Sequence, residues 1–241
     1  KFLKFLNLNF FKKVFRKYIS MPINIDKMSI YVLIAIGILC LLLLFLWCSV
    51  PSPYRVVERE FSHLEKNLKT GDMILFSSSG VIEGVIKLYN STPITHCAIV
   101  FVDVDGWYGP RNDVYLLENH PNSMYDHYKH RKSGLSQPTM VRLIDKLSNY
   151  HGTYLHLSLN VPVSNIKDLL LSKHEQLASR DFIFDPYSWL NNKDMLYTCT
   201  DYCYDMLHDV LPCIDRRIYS PDEFLNLPCY TPSEYFTIRD V

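Results

Sequence analysis

One uncharged stretch constrains this chain more than any other feature. Between Lys27 and Arg55 no Asp, Glu, Lys or Arg intervenes, and the middle of that gap, Ile30–Val50, reads IYVLIAIGILCLLLLFLWCSV. As a helix these 21 residues would rise about 31 Å, matching a hydrocarbon core of roughly 30 Å. Leu41–Leu46 is apolar on every side, so the run lacks the polar stripe of an amphipathic core helix. Tyr31 and Trp47 sit near the ends, where interfacial aromatics are favoured. The expectation is a single transmembrane helix over residues 29–50. A secretory signal would have a shorter apolar stretch and small residues before its cleavage point. Trp47-Cys48-Ser49-Val50-Pro51 offers no such pair, and Leu46-Trp47-Cys48 lacks the small residue that precedes a lipid-modified cysteine. An uncleaved anchor is therefore expected.

Charge divides at the same place. The 25 cations and 25 anions cancel formally, yet residues 1–50 hold seven of the cations (Lys1, Lys4, Lys12, Lys13, Arg16, Lys17, Lys27) and only one anion, Asp26. A head of +6 thus precedes a body of −6. By the positive-inside rule the N-terminus stays cytosolic and the body lies across the membrane, a single-pass arrangement. A start at Met21 would leave only Lys27 and Asp26 on that side and the orientation open. The segment FFKKVFRKYI (Phe10–Ile19) has the basic, aromatic composition of a surface-lying helix. Phosphate binding needs a clear basic surplus, so a general nucleic-acid partner is excluded. The domain reading is 1–28 basic segment, 29–50 transmembrane helix, 51–67 stem helix and 68–241 folded domain. Of seven cysteines, Cys40 and Cys48 lie in the apolar run. The other five, Cys97, Cys199, Cys203, Cys213 and Cys229, are odd in number, so at least one is free or pairs with another chain.

Within the body, Val56, Val57, Phe61, Leu64 and Leu68 follow helical spacing. Met73–Ser79, His96–Val104, Val114–Glu118 and Tyr154–Asn160 read as strands, and Lys69-Thr70-Gly71-Asp72 and Asp105-Gly106 as turns. Gly80–Tyr89, Val163–Ser179 (capped by Ser164) and Tyr197–Leu211, stopped by Pro212, read as helices. Residues 119–140 read as a long polar loop over a site. Strands and helices without a regular βαβ beat point to an α+β fold.

The chemistry concentrates in Thr198-Cys199-Thr200-Asp201. Thr198 followed by Asp201 is a capping-box-like pair, which makes Cys199 the first helical residue. A thiol there feels the positive end of the helix dipole, which favours thiolate, the nucleophilic form. A nucleophilic cysteine needs a base, and the base an orienting partner. His96, at the mouth of an apolar strand, is the candidate base. Glu118, ending the next strand, is the candidate partner. Each also has a plain structural reading: an inert core thiol, and a solvated His and Glu at strand ends.

The order of these segments resembles the circularly permuted NlpC/P60 hydrolases, papain-like enzymes in which His precedes Cys and whose relatives occur in bacteria and poxviruses. Leu68-Lys69-Thr70-Gly71-Asp72-Met73-Ile74-Leu75-Phe76 is similar to their Leu-x-x-Gly-Asp strand. Thr95–Val102 is similar to their Ser/Thr-His strand, and Cys199-Thr200-Asp201 to their Cys-Ser-Glu helix start. Asp201 stands where Glu is commoner, and Cys97 where Val or Ile is usual. The resemblance covers about Leu68–Leu227. It implies an α+β, permuted papain-like fold with an antiparallel sheet packed on helices, here preceded by the transmembrane helix. It also implies a Cys199–His96–Glu118 triad, with Thr198 and Asp201 supporting the helix cap and the Cys199 N–H available to an oxyanion.

Other constellations are weaker. Cys199, Cys203, Cys213, Cys229 and His208 lack metal-ligand spacing. His120, His127 and His130 read as a solvated cluster, and Asp201, Asp205 and Asp209 as the wet face of a helix. The sequon Asn90-Ser91-Thr92 is weakened by Pro93. With eight glycines and no phosphate-cradling loop, nucleotide chemistry is not indicated. No cofactor and no metal are expected. The expected function is a membrane-anchored cysteine hydrolase or acyltransferase acting on an amide or acyl ester, with the bilayer and a peptide or lipid acyl substrate as partners; oligomeric state stays open. The alternative is a catalytically retired structural or adaptor protein in the virion membrane of a large DNA virus, for which the Asn/Tyr/Lys-rich, glycine-poor composition speaks.

Overall fold

The centres of MILFSS, HCAIVFVD and DVYLLENH are almost entirely apolar, so strands built from them must be covered on both faces. The computed structural model of the chain, which describes residues 32–41, 56–78, 87, 92–120, 125–133, 137–148, 150, 152–179 and 198–238, covers them in that way. The chain divides into two compact units, residues 1–50 and 51–241.

In the first unit residues 32–41 form a helix, α1, whose side chains are all exposed. Ten helical residues rise about 15 Å, half of what a crossing needs. Among the described residues no helix is long and apolar enough to cross a membrane. This corrects the expected transmembrane helix over 29–50 and, with it, the expected single-pass membrane placement with a cytosolic N-terminus. Residues 29–31 and 42–50, and the basic segment 1–28 with its surface-lying helix, lie outside the described residues.

The second unit runs β1 (Val56–Arg59), α2 (Phe61–Asn67), β2 (Met73–Ser78), β3 (His96–Asp103), β4 (Asp113–His120), β5 (Tyr125–Asp126), β6 (Arg131–Lys132), β7 (Gln137–Arg142), α3 (Leu143–Ser148), β8 (Gly152–Leu159), α4 (Ile166–Ala178), α5 (Cys199–Leu207), a 3-10 helix (Pro221–Asn226) and β9 (Tyr230–Ile238). Seven strands make one sheet in the order β1-β9-β8-β2-β3-β4-β7, while β5 and β6 pair as a separate hairpin. Within the large sheet only β1–β9 is parallel. The fold expectation is corrected accordingly: the described chain is mixed α/β with a mostly antiparallel sheet, and it carries no membrane-spanning helix.

Strand pleating divides the core into two layers. Met73, Leu75, Ile99, Phe101 and Leu117 pack on one face with Leu170 and Leu177 of α4 and Met206 and Leu207 of α5. Ile74, Phe76, Ala98, Val100 and Leu116 pack on the other with Leu64 of α2 and Leu143 and Leu147 of α3. Each such side chain, withdrawn from water, contributes roughly 1.5–3 kcal/mol before entropy is counted.

Several local expectations change. The expected stem helix is half strand: Val56 and Val57, β-branched and beside an edge, pair with Tyr235 and Phe236 instead. The expected 119–140 loop contains the end of β4, the β5–β6 hairpin and most of β7. Pro138 disguised the last of these, and it is tolerated because β7 is an edge strand. Helix α4 begins after Asn165, in the left-handed region (φ 55°) with no side-chain cap, rather than after Ser164. The helix expected over Gly80–Tyr89 lies, Lys87 excepted, outside the described residues.

Candidate functional site

Helix α5 begins as its sequence requires. Thr198 is the N-cap in extended backbone, and the capping box is complete. The Asp201 N–H donates to Thr198 Oγ1 at 3.1 Å, and the Thr198 N–H to Asp201 Oδ2 at 3.0 Å. Asp201 Oδ1 accepts from Arg217 at 2.8 Å. Both oxygens of Asp201 therefore hold the helix start, and Cys199 is presented as its first residue, partly exposed.

His96 opens β3 opposite Phe76. Its neighbour fixes the strand mouth: the Thr95 N–H donates to the Phe76 carbonyl at 2.8 Å, and Thr95 Oγ1 lies 3.2 Å from Ser78 Oγ. The His96 ring rests 5.3 Å from Phe76 and, edge to face, 5.3 Å from His120. His96 Nε2 lies 2.6 Å from Glu118 Oε2. Glu118, in β4 opposite Thr139, is fully buried. Lys146, reaching from α3, donates to Glu118 Oε1 at 2.7 Å and Oε2 at 2.8 Å and stands 5.4 Å above the Phe76 ring. Burial alone would raise the Glu118 pKa, but Lys146 and His96 outweigh it and hold the carboxyl well below its usual range. An ionised carboxylate only accepts, so His96 Nε2 carries the hydrogen and Nδ1 is left as the basic nitrogen.

The Cys199 thiol lies near enough to His96 and Cys97 for each to act on its pKa. Burial works to lower the His96 pKa; Cys199 and Glu118 outweigh it, and the net shift is upward. At Cys199 the hydrogen bond with Cys97 comes first, burial second, and together they push the thiol well above its usual value against the pull of His96. Behind these, Cys97 and Cys203 are buried thiols whose pKa values burial raises.

The structure therefore bonds His96 to Glu118 and places Cys199 near His96, with Thr198 and Asp201 at the helix cap. It adds Lys146, which sequence reasoning missed, and sets Cys97, noted in the sequence only as a departure from the resembling family, near the Cys199 thiol. One signal for Lys146 was present: Leu143, Lys146 and Leu147 share one helical stripe, and a lysine among leucines there has to find a buried anion. Asp72, from the Gly-Asp turn, is elsewhere employed. It accepts from the Lys69 and Leu159 N–H groups and pairs with His156 at 2.8 Å, joining two strands. Cys213 and Cys229 form a disulfide, which leaves them no role as metal ligands. His120 lies over His96, His127 faces Asp145 at 3.6 Å and His130 sits in a left-handed turn, so the three histidines do not converge. Asp209 pairs with Lys173. Thr92 of the sequon is buried; its other two positions lie outside the described residues.

Fold and site together define a mixed α/β protein carrying a thiol–imidazole–carboxylate array at a helix start. No family model matches the sequence, and no curated protein matches it. Among solved structures it is similar to the crystal structure of the metalloprotein yiiX from Escherichia coli O157:H7, of the DUF1105 group. The identity is 14%, the match covers 68% of this chain and 96% of that one, and the TM-score is 0.46.

Proposed function

We propose that residues 51–241 form a cysteine-dependent hydrolase or acyltransferase that acts on an amide or acyl ester bond, related in kind to the circularly permuted NlpC/P60 enzymes. The observation that carries this reading is the His96 ring bonded to the Glu118 carboxylate at 2.6 Å, with the Cys199 thiol at the N-terminus of α5 near enough to act on its pKa. His96 takes the thiol proton as the sulfur attacks the carbonyl carbon. The carbon–sulfur bond forms, the bond to nitrogen or oxygen breaks, and His96 returns the proton to the leaving group. Water, deprotonated by His96, or an acceptor alcohol or amine then cleaves the thioester. The Cys199 N–H, at the first helical position, has no intrahelical acceptor and would be one donor to the oxyanion.

The test is labelling with iodoacetamide near neutral pH, followed by peptide mapping. Cys199 reacts faster than Cys97 and Cys203, and His96→Ala slows it. Equal rates at all three thiols, or no effect of His96→Ala, would overturn the reading. A screen of peptide amides against acyl esters then assigns the substrate class. One point favours a second reading, a structural or adaptor protein on a retired catalytic fold: Cys97 and burial push the pKa of the thiol that should attack well above its usual value. Normal Cys199 reactivity with no turnover of either substrate class would support it.

A further inference from the structure

Buried lysines are rare because an ammonium loses several kcal/mol of hydration unless an anion meets it. The side chain of Lys146 is 4% exposed, and both of its acceptor contacts go to one carboxylate, that of Glu118. The same carboxylate holds His96. An ordinary structural ion pair would satisfy itself and stop. This one continues through Oε2, shared by Lys146 at 2.8 Å and His96 at 2.6 Å, to the imidazole that faces Cys199.

Resting on the hydrolase reading, we propose that Lys146 is a positioning residue of the site: its ammonium keeps Glu118 ionised and aimed at His96 Nε2, so that Nδ1 is the nitrogen offered to the Cys199 thiol. Two consequences follow from charge alone. Glu118 is already balanced by Lys146, so the imidazole is not obliged to stay protonated as Glu118's only counter-ion and is free to act as a base. A fixed positive charge also lowers the proton affinity of every group facing it. Glu118 feels it directly, and the other titratable groups around the Glu118–His96 pair are His120 from β4, Cys97 from β3, and Cys199 and Cys203 from α5. The Phe76 ring closes one side and supplies a π-face to the ammonium without adding a charge.

The experiment is the pH profile of Cys199 alkylation by iodoacetamide in the full chain, for the wild type, Lys146→Gln, Lys146→Arg and His96→Ala. The glutamine still donates to Glu118 but carries no charge; the arginine keeps the charge. Lys146→Gln moves the inflection to higher pH and lowers the neutral-pH rate about tenfold for each pH unit it moves, while Lys146→Arg stays near the wild type. A merely structural lysine would reduce the amount of reactive protein but leave the inflection where it was, and that result overturns the proposal. The His96→Ala arm separates the two failures. If it leaves the profile unchanged, the hydrolase reading falls and this proposal with it. If it abolishes the inflection while Lys146→Gln does not move it, only the proposal falls. Should Lys146→Gln not fold, nitrogen-15 shifts of the wild-type histidines decide the matter: neutral His96 is the Nε2–H tautomer, and finding the Nδ1–H tautomer overturns the proposal.

Discussion

Lys146 and Glu118 meet 28 residues apart in sequence, one from the short helix α3 and the other from β4, one strand in from the sheet's edge, with the ammonium 2.7 and 2.8 Å from the two carboxylate oxygens. Everything at the site that depends on a fixed negative charge depends on this pair.

Removing one partner leaves the other charged and buried. Glu118→Gln should therefore cost about 3–5 kcal/mol of stability, and Lys146→Met a similar amount. The double variant Glu118→Gln/Lys146→Met should cost clearly less than the sum, because no uncompensated charge remains. Urea denaturation of the four proteins checks this; additive losses would show that the two groups are not coupled. The acid limb has a definite sign. The folded pKa of Glu118 lies below its ordinary 4.5, so its contribution is complete above that value and is lost as pH falls toward the folded one. Glu118→Gln should flatten that limb.

Cys97 is the neighbour that contributes most to the upward push on the Cys199 pKa. Cys97→Val, which also supplies the residue usual at this place in the resembling family, should lower the Cys199 pKa. Below that pKa, alkylation should speed up about tenfold for each pH unit by which the pKa falls. Stopped-flow or timed quenching across about pH 6–10, a range that brackets the ordinary thiol value, measures it, and a rate equal to wild type throughout would refute the assignment.

His174 is fully buried in α4 beside Tyr202, whose hydroxyl lies 2.7 Å from Nδ1. Burial, aided by Lys129, pushes its pKa from 6.5 down to about 3. Between those values the unfolded chain binds a proton that the folded chain refuses. Stability should thus be complete above about pH 6.5 and fall with decreasing pH at up to about 1.4 kcal/mol per pH unit. His174→Asn, which does not titrate, should remove that slope. Chemical denaturation at pH 4, 5, 6 and 7 is the measurement.

The Cys213–Cys229 disulfide closes a separation of 16 residues that contains the 3-10 helix. By loop-closure entropy its loss should cost about 3 kcal/mol. A matching fall in Tm is expected for Cys213→Ser/Cys229→Ser and for wild type under a reductant. An unchanged Tm in the double variant would show that packing of Phe224 and Ile218 holds the segment unaided.

The parts of the site legible in the sequence are those governed by neighbours a few residues away. Thr198, Cys199 and Asp201 form a cap because an N-cap hydroxyl and an acid three residues on complete each other's hydrogen bonds locally. His96 and Glu118 sit at defined places on strands because unbroken apolar runs fix where strands lie. The Gly71-Asp72 turn was readable for the same reason, with Gly71 at φ 96°, a conformation that suits glycine. The Ile30–Val50 run marks what its side chains avoid, but hydropathy does not measure helix length, and the described helix there covers ten residues.

What lay beyond the sequence is what arises between elements. Lys146 was a lysine in a leucine stripe until α3 packed on the Phe76 face of the sheet and brought it to Glu118. Cys97 was one more residue of an apolar strand until pleating turned it to the face opposite Phe76, toward α5, where it pushes the Cys199 pKa upward. Local sequence sets a side chain's identity and the direction of its backbone. Its charge partner, and hence its protonation, is decided only when distant segments are brought within a few ångströms and water is excluded from between them.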